Sequence, residues 1–215
     1  MKTSRTGVVI GRFMPPHRGH QYLFEFALQY ADEVAIFVCT LPEEPIPGEL
    51  RYRWVREMTP DAHVVHITER IPEAQRDQPN SYAIWAQAMQ AHLDSPVDFV
   101  FASEPYGWKL ADALSARFVS VDAARHVFPI SGTDIRSAPY ENWQFIPDVV
   151  RPYFLKRIAV VESRNDGEGR FAHELASRLR TVVVQDYLTY WESLGVTMDT
   201  EEDLHHVLRA QRASE

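Results

Sequence analysis

The sequence predicts an α/β fold: one parallel β-sheet covered by helices on both faces, with a small α/β piece at the C-terminal end. Three observations predict it. Short apolar runs alternate with longer amphipathic stretches over most of the first 121 residues. The runs are near-continuous in Val, Ile and Phe, as in strands buried on both faces, rather than alternating with polar residues. A glycine-containing loop also joins the first run to the first amphipathic stretch. In that layout backbone N–H groups and a helix N-terminus meet a phosphate chain.

Strands are expected at Gly7–Ile10, Val34–Thr40, His63–Thr68, Asp98–Ala102 and Phe118–Val121, with helices at about 18–31, 50–58, 81–93 and 107–115. Ligands in such sheets bind beyond the C-terminal strand ends. The chain is expected to divide into 1–155 and 156–215. The second part reads as a strand at Ile158–Val161, a helix at Phe171–Arg180, a strand at Thr181–Gln185 and a helix at Glu201–Gln211.

With 45% hydrophobic and 12% aromatic residues the chain can build a substantial core. A net charge of −8 argues against a protein that holds long nucleic acid, which needs basic surface. A mononucleotide needs only a small local positive site. The single cysteine, Cys39, excludes an intrachain disulfide, fits a reducing cytoplasm and reads as an inert thiol in a strand. No signal peptide opens the sequence and no apolar run is long enough to span a bilayer. The expectation is a cytoplasmic protein without membrane or nucleic-acid partners; a homo-oligomer stays open.

Chemistry concentrates in Gly11-Arg12-Phe13-Met14-Pro15-Pro16-His17-Arg18-Gly19-His20. Pro15 and Pro16 fix where the following helix begins. His17 and His20, three apart, fall on one face of its first turn and can donate to phosphoryl oxygens. Gly19 lets a nucleotide approach the backbone. Taken alone, the run is a buried turn whose histidines satisfy carbonyls. It resembles, at every fixed position, the Gly-x-Phe-x-Pro-x-His-x-Gly-His signature of the nucleotidylyltransferase superfamily. Pro129-Ile130-Ser131-Gly132-Thr133-Asp134-Ile135-Arg136 resembles that superfamily's second signature, Ile-Ser-x-Thr-x-x-Arg. The resemblance implies a Rossmann-like sheet of the nucleotidylyltransferase type. Ser131 and Thr133 are natural cap residues able to meet phosphate, and Arg136 offers a planar fork to the β- and γ-phosphates.

Other stretches narrow the resemblance. Ser103-Glu104-Pro105-Tyr106-Gly107, Val121-Asp122-Ala123-Ala124-Arg125, Trp143-Gln144-Phe145-Ile146 and Val150–Arg157 occur in the order found in the bifunctional nicotinamide-nucleotide adenylyltransferase/ribosylnicotinamide kinase family, NadR type. That family implies ATP plus nicotinamide mononucleotide giving NAD and pyrophosphate, with Mg²⁺ accompanying ATP and no metal site built by the protein. It assigns His17, His20 and Arg136 to catalysis, and Gly11, Arg12, Phe13, Gly19, Ser131, Thr133 and Arg136 to ATP. Trp85, Ser103, Glu104 and Tyr106 fall to the mononucleotide. Trp85 reads either as a core residue of an amphipathic helix or as the indole that stacks on the nicotinamide ring. Arg51, Arg53 and Arg56 read as a solvated helix face, with a phosphate contact from one of them as the sharper alternative.

The kinase part departs from the family. A Gly-x-x-x-x-Gly-Lys-Ser/Thr loop laid on the sequence without gaps puts Glu162 at the first glycine, Gly167 at the second, Glu168 at the lysine and Gly169 at the hydroxyl position. Carboxylates there repel a triphosphate. Residues 156–215 are therefore expected to be a truncated, degenerate kinase remnant that neither binds ATP nor phosphorylates a riboside. The intact first site favours an active adenylyltransferase over a non-catalytic nucleotide sensor or assembly protein. Transfer to another phosphorylated acceptor, such as phosphopantetheine, is the alternative within the enzyme class.

Overall fold

The computed structural model describes residues 4–70, 81–160, 168–184, 186–197 and 199–214. Contacts divide the chain into two units, Met1–Leu155 and Lys156–Glu215. The first unit is built on five strands: β1 (Thr6–Gly11), β2 (Glu33–Cys39), β3 (His63–Ile67), β4 (Phe99–Ala102) and β5 (Arg117–Ser120). All pair in parallel in the order β3-β2-β1-β4-β5. The crossovers carry α1 (Arg18–Tyr30), α2 (Gly48–Met58), α3 (Ser81–Gln90) and α4 (Tyr106–Ala113). After β5 follow α5 (Gly132–Ser137), a 3₁₀ turn at Trp143–Phe145 and α6 (Arg151–Phe154).

The apolar runs are continuous because successive side chains enter different cores. Val9, Ile36, Val38, Phe99 and Phe101 pack with Leu23, Phe24 and Ala27 of α1 and Val55 of α2. Their neighbours Val8, Ala35, Phe37 and Val100 point the other way, onto Met89 of α3 and Leu110 and Ala111 of α4. A third cluster, Ile46, Trp54, Ile130, Ile135, Ile146 and Val150, seats α5 against α2 and the proline-rich loop. The parallel sheet with two helical layers is the predicted fold.

One prediction about charge fails. Arg51 is neither solvated nor free to meet a phosphate: it has no exposed surface. Its Nε donates to the Ile46 carbonyl at 3.1 Å and its Nη1 to the Arg12 carbonyl at 2.7 Å, while Nη2 pairs with Glu44. Glu44 is itself nearly buried and also accepts from the Leu41 N–H at 2.9 Å. A buried guanidinium is tolerated because carbonyls and a carboxylate replace its water. Arg53 and Arg56 are exposed, as a solvated face requires, and Arg56 lies over the Tyr52 ring.

In the second unit the described residues form α7 (Glu168–Leu179), α8 (Tyr187–Ser193) and α9 (Glu201–Ser214). Trp191 of α8 packs on His206 of α9, with ring centroids 4.8 Å apart. The strands expected at 158–161 and 181–185 are absent over residues 158–160 and 181–184. The reason is local. Arg180 takes a left-handed conformation (φ 52°), and the Thr181 N–H turns back to the Ala176 carbonyl at 2.9 Å. This closes α7 and consumes the first donor of the supposed strand. Among the described residues neither run is paired, and Val182 stays 82% exposed. The stretch read from the sequence as a degenerate phosphate loop, 162–169, falls mainly on 162–167, outside the described residues; Glu168 and Gly169 begin α7.

Replacing Arg51 by Met leaves the nearly buried Glu44 carboxylate with only the longer contact to the half-exposed Arg12, and strands two carbonyls. The expected loss is about 3–5 kcal/mol of unfolding free energy in urea titration. The double change Arg51→Met, Glu44→Leu should recover a large part of it, because no charge is then buried without its partner.

Candidate active site

The chain builds β1, β2 and β3 outward on one side, then crosses to β4 and β5 on the other, so β1 and β4 flank the point where strand order reverses. Above their C-terminal ends lies a cavity of about 690 Å³. Every residue assigned to the site from the sequence lines it. The first loop contributes Gly11, Arg12, Phe13, His17, Gly19 and His20; the second motif contributes Ser131, Thr133 and Arg136. Trp85 arrives from α3, Ser103 and Glu104 from the turn after β4, and Tyr106 from the start of α4.

The two histidines do more than share a helix face. His17 is the N-cap of α1: its Nδ1 accepts from the His20 N–H at 3.3 Å, and His20 Nδ1 accepts from the His17 N–H at 3.2 Å. This is a capping box made of two imidazoles. The rings stack with centroids 3.7 Å apart. Both Nδ1 atoms being acceptors, the neutral rings carry their proton at Nε2, on the edge away from the backbone. Burial lowers the His17 pKa from 6.5 to about 4, Arg125 adding to the shift and Asp134 opposing it. Burial, then His17 and Arg125, hold His20 well below 6.5. At neutral pH the cavity therefore holds two uncharged Nε2–H donors.

Packing fixes those rings. Phe13, in a left-handed conformation (φ 46°), is buried and meets His20 edge-on at 5.0 Å and Phe24 at 5.2 Å. A Cβ at Gly11 would come within 2.9 Å of the Phe13 ring, so residue 11 must be small for Phe13 to lie where it does. A Cβ at Gly19 would press on the His17 ring at 3.1 Å. Gly19 thus makes room for an imidazole, a reason the sequence did not disclose.

The two motifs are bonded to each other. Arg136 Nη1 donates to the Met14 carbonyl, and Nη2 to Thr133 Oγ1 at 3.2 Å. A Cβ at Gly132 would lie 2.6 Å from the Met14 oxygen, so glycine permits this approach. Ser131 caps α5, accepting from the Asp134 N–H at 3.2 Å, while Asp134 Oδ2 accepts from the Ser131 N–H and hydroxyl at 2.9 and 2.6 Å. The Ser131 hydroxyl, then its backbone N–H, hold the Asp134 carboxyl below its ordinary pKa.

At the opposite wall, Tyr106 donates its hydroxyl to the Ile10 carbonyl at 2.9 Å, tying the start of α4 to β1; burial pushes its pKa up. Trp85 and Tyr82 are half-buried, packing on the sheet from α3 while lining the cavity. Cys39 also lines it; burial first, then Glu44, raise its pKa to about 12, as for an inert thiol. Sequence reasoning left Asp122 and Arg125 without a role, although both line the cavity. Asp122 accepts from the His126, Val127 and Phe128 N–H groups at 2.8–3.2 Å, and Arg125 Nη2 donates to Glu104 Oε1 at 3.3 Å. The signal was present in the Val-Asp-x-x-Arg spacing, but only the folded loop gives it a direction.

Among the described residues no group of three or more His, Cys, Asp or Glu side chains could hold a metal ion, and none of their helices is long and apolar enough to cross a membrane. The arrangement suits hydrogen bonding to a phosphate chain.

Comparison with known proteins places the chain. Residues 8–138 match the cytidylyltransferase-like family. The trifunctional NAD biosynthesis/regulator protein NadR of Salmonella typhimurium is 25% identical over 198 residues, covering 84% of this chain and 48% of that protein. NadR of Escherichia coli is 26% identical over 203 residues, with the same coverage. A nicotinamide-nucleotide adenylyltransferase of Methanolobus tindarius is 27% identical over 106 residues, 47% of this chain and 58% of that protein. The chain thus spans about half the length of the NadR proteins it matches. The crystal structure of NadR in complex with NAD and AMP-PNP superposes with a TM-score of 0.67 at 24% identity, over 92% of this chain and 60% of that one. NadR in complex with NR gives 0.68 at 24% identity over 90% and 57%. These two likenesses establish the fold. With the family match spanning more than half of its residues, including both histidines and Arg136, the chain belongs to the cytidylyltransferase-like family of nucleotidyltransferases.

Proposed function

We propose that the chain is a nicotinamide-nucleotide adenylyltransferase that converts ATP and nicotinamide mononucleotide to NAD and pyrophosphate. The observation that carries this reading is the reciprocal histidine cap, which aims two neutral N–H donors into a nucleotide-sized cavity beside Ser131, Thr133 and Arg136. The names of the relatives, NadR and nicotinamide-nucleotide adenylyltransferase, support the choice of acceptor.

In this reading a phosphate oxygen of the mononucleotide attacks the α-phosphorus of ATP. The bond from the α-phosphorus to the bridging oxygen breaks in line, and pyrophosphate leaves with that oxygen. The attacking oxygen is already ionised, so the site needs no strong base; it needs alignment and charge stabilisation. His17 and His20 donate from Nε2 to the phosphoryl oxygens as charge shifts onto them. Arg136 uses two of its five N–H groups within the protein and has others to offer the departing pyrophosphate. Gly11, Arg12, Phe13 and Gly19 shape the ATP end; Trp85, Ser103, Glu104 and Tyr106 form the acceptor end. Asp122 spends both carboxylate oxygens on backbone N–H groups and Asp134 spends Oδ2 on Ser131, and Mg²⁺ would enter with the ATP substrate. Residues 156–215 are proposed to carry no kinase activity.

The reaction is tested by following pyrophosphate release from ATP or CTP with Mg²⁺ and nicotinamide mononucleotide, nicotinic acid mononucleotide or phosphopantetheine. Turnover confined to ATP with a pyridine mononucleotide is expected; turnover with phosphopantetheine alone would replace this reading, and none with any acceptor would favour a sensor. His17→Ala and His20→Ala should each lower kcat by ~10²-fold or more in folded protein; an unchanged kcat removes that histidine from the mechanism. Trp85→Ala should raise KM for the mononucleotide and spare KM for ATP. Lower thermal stability with normal KM would make Trp85 a packing residue only.

The depressed histidine pKa values also set a pH dependence of stability. Between pH 6.5 and about 4 the unfolded chain binds a proton at His17 that the folded chain refuses. Stability therefore rises with pH across that window and is lost as pH falls, by about 3 kcal/mol for His17, with His20 adding in the same direction. Urea unfolding of wild type and His17→Asn, a substitute that can still cap the helix, should show a flatter pH dependence in the variant. Parallel curves would mean that the cap does not resist protonation.

A further inference from the structure

The loop after β5 holds two non-glycine residues in left-handed conformation, Asp122 (φ 47°) and Arg125 (φ 51°). Such backbone persists only where the surroundings over-determine it. Here they do: three consecutive N–H groups, those of residues 126–128, converge on the Asp122 carboxylate, and the Arg125 N–H donates to the Asp122 carbonyl at 2.8 Å. The loop is thereby pinned, and its pinned geometry presents the Arg125 side chain at the cavity wall.

What holds the guanidinium is weak by comparison. Its bond to Glu104 spans 3.3 Å, with the two side chains 44% and 58% exposed. Ion pairs this exposed contribute little. The other arginines of the cavity are committed differently: Arg136 bonds Met14 and Thr133, and Arg12 faces the nearly buried Glu44 at 3.6 Å. Arg125 also stands within electrostatic reach of both histidines, since its charge helps depress them. A strained, rigid backbone thus carries a loosely held cation next to two phosphate-type donors.

We infer that Arg125 is a substrate-phosphate ligand that Glu104 holds in reserve, and that the guanidinium exchanges Glu104 for phosphoryl oxygens when a substrate enters. The inference rests on reading the cavity as a phosphate-handling nucleotide site. Before binding, the pair keeps the wall near neutral. After it, the planar fork engages the phosphate and the freed Glu104 carboxylate faces the acceptor end of the cavity.

The test is calorimetric binding of inorganic pyrophosphate at low salt to the full chain, with wild type, Arg125→Gly, Glu104→Gln and the double variant. Glycine suits the left-handed backbone, so Arg125→Gly should keep or raise Tm while weakening pyrophosphate binding about tenfold or more. Glu104→Gln, which removes the competitor, should tighten binding about two- to fivefold. In the Arg125→Gly background the same Glu104 change should have no effect. The inference fails if wild type binds no pyrophosphate, or if Arg125→Gly binds within twofold of wild type. It also fails if Glu104→Gln does not tighten binding, or tightens it equally when residue 125 is glycine, because the carboxylate would then act only through its field. Since pyrophosphate binding needs no acceptor, the predicted pattern without turnover of any pyridine mononucleotide would sink the proposed reaction and leave the partner exchange standing.

Discussion

A guanidinium without exposed surface holds the top of the sheet together. Arg51 reaches from α2 to the Ile46 and Arg12 carbonyls and to Glu44, so the proline-rich loop, the loop after β1 and the helix between them share one charged centre. The loop that carries His17 and His20 has few regular backbone partners before α1 begins, and its entry is set by that bond to Arg12. Burying a charge this way is costly, and only the completeness of its partners makes it tolerable. The geometry of the site is inherited from that arrangement.

A second constraint joins segments far apart in sequence. Arg136 grips the Met14 carbonyl, and Gly132 lets α5 come close enough for it. The two motifs are thus one object in space, seated on the Ile46–Ile135–Ile146 cluster. Phe13 then wedges His20 from the side, and Gly19 gives His17 its space. The sheet contributes location; the contacts between these loops contribute register.

Much of this was legible in the residues. Val8/Val9 and Phe37/Val38 announce strands buried on both faces of a parallel sheet, whereas the order β3-β2-β1-β4-β5 is seen only in the structure. The site residues could be gathered because their spacing within each motif is local. What stayed hidden was direction. Arg51 was read with Arg53 and Arg56 as one solvated face, although i, i+3, i+4 spacing sets it on the side of Trp54 and Val55; that carbonyls from other segments would meet it there was not legible. The Asp122 carboxylate looks like any loop aspartate until residues 126–128 fold back over it. The C-terminal apolar runs misled because β-propensity needs a neighbouring strand to become a ladder, and the Thr181 N–H is consumed in closing α7.

The doubled imidazole cap has a consequence for what the cavity can accept. A neutral imidazole takes up a proton only through a nitrogen whose lone pair is free. In His17 and His20 the Nδ1 of each ring is occupied by the other's backbone, so each is a one-ended group, and no relay runs through either to solvent. Such a pair can steady negative charge but has no route to drain protons from a neutral alcohol. Under the proposed reaction, ionisation state would then count before shape: the site suits an acceptor that arrives as an anion at neutral pH and offers no base to one that arrives as a hydroxyl.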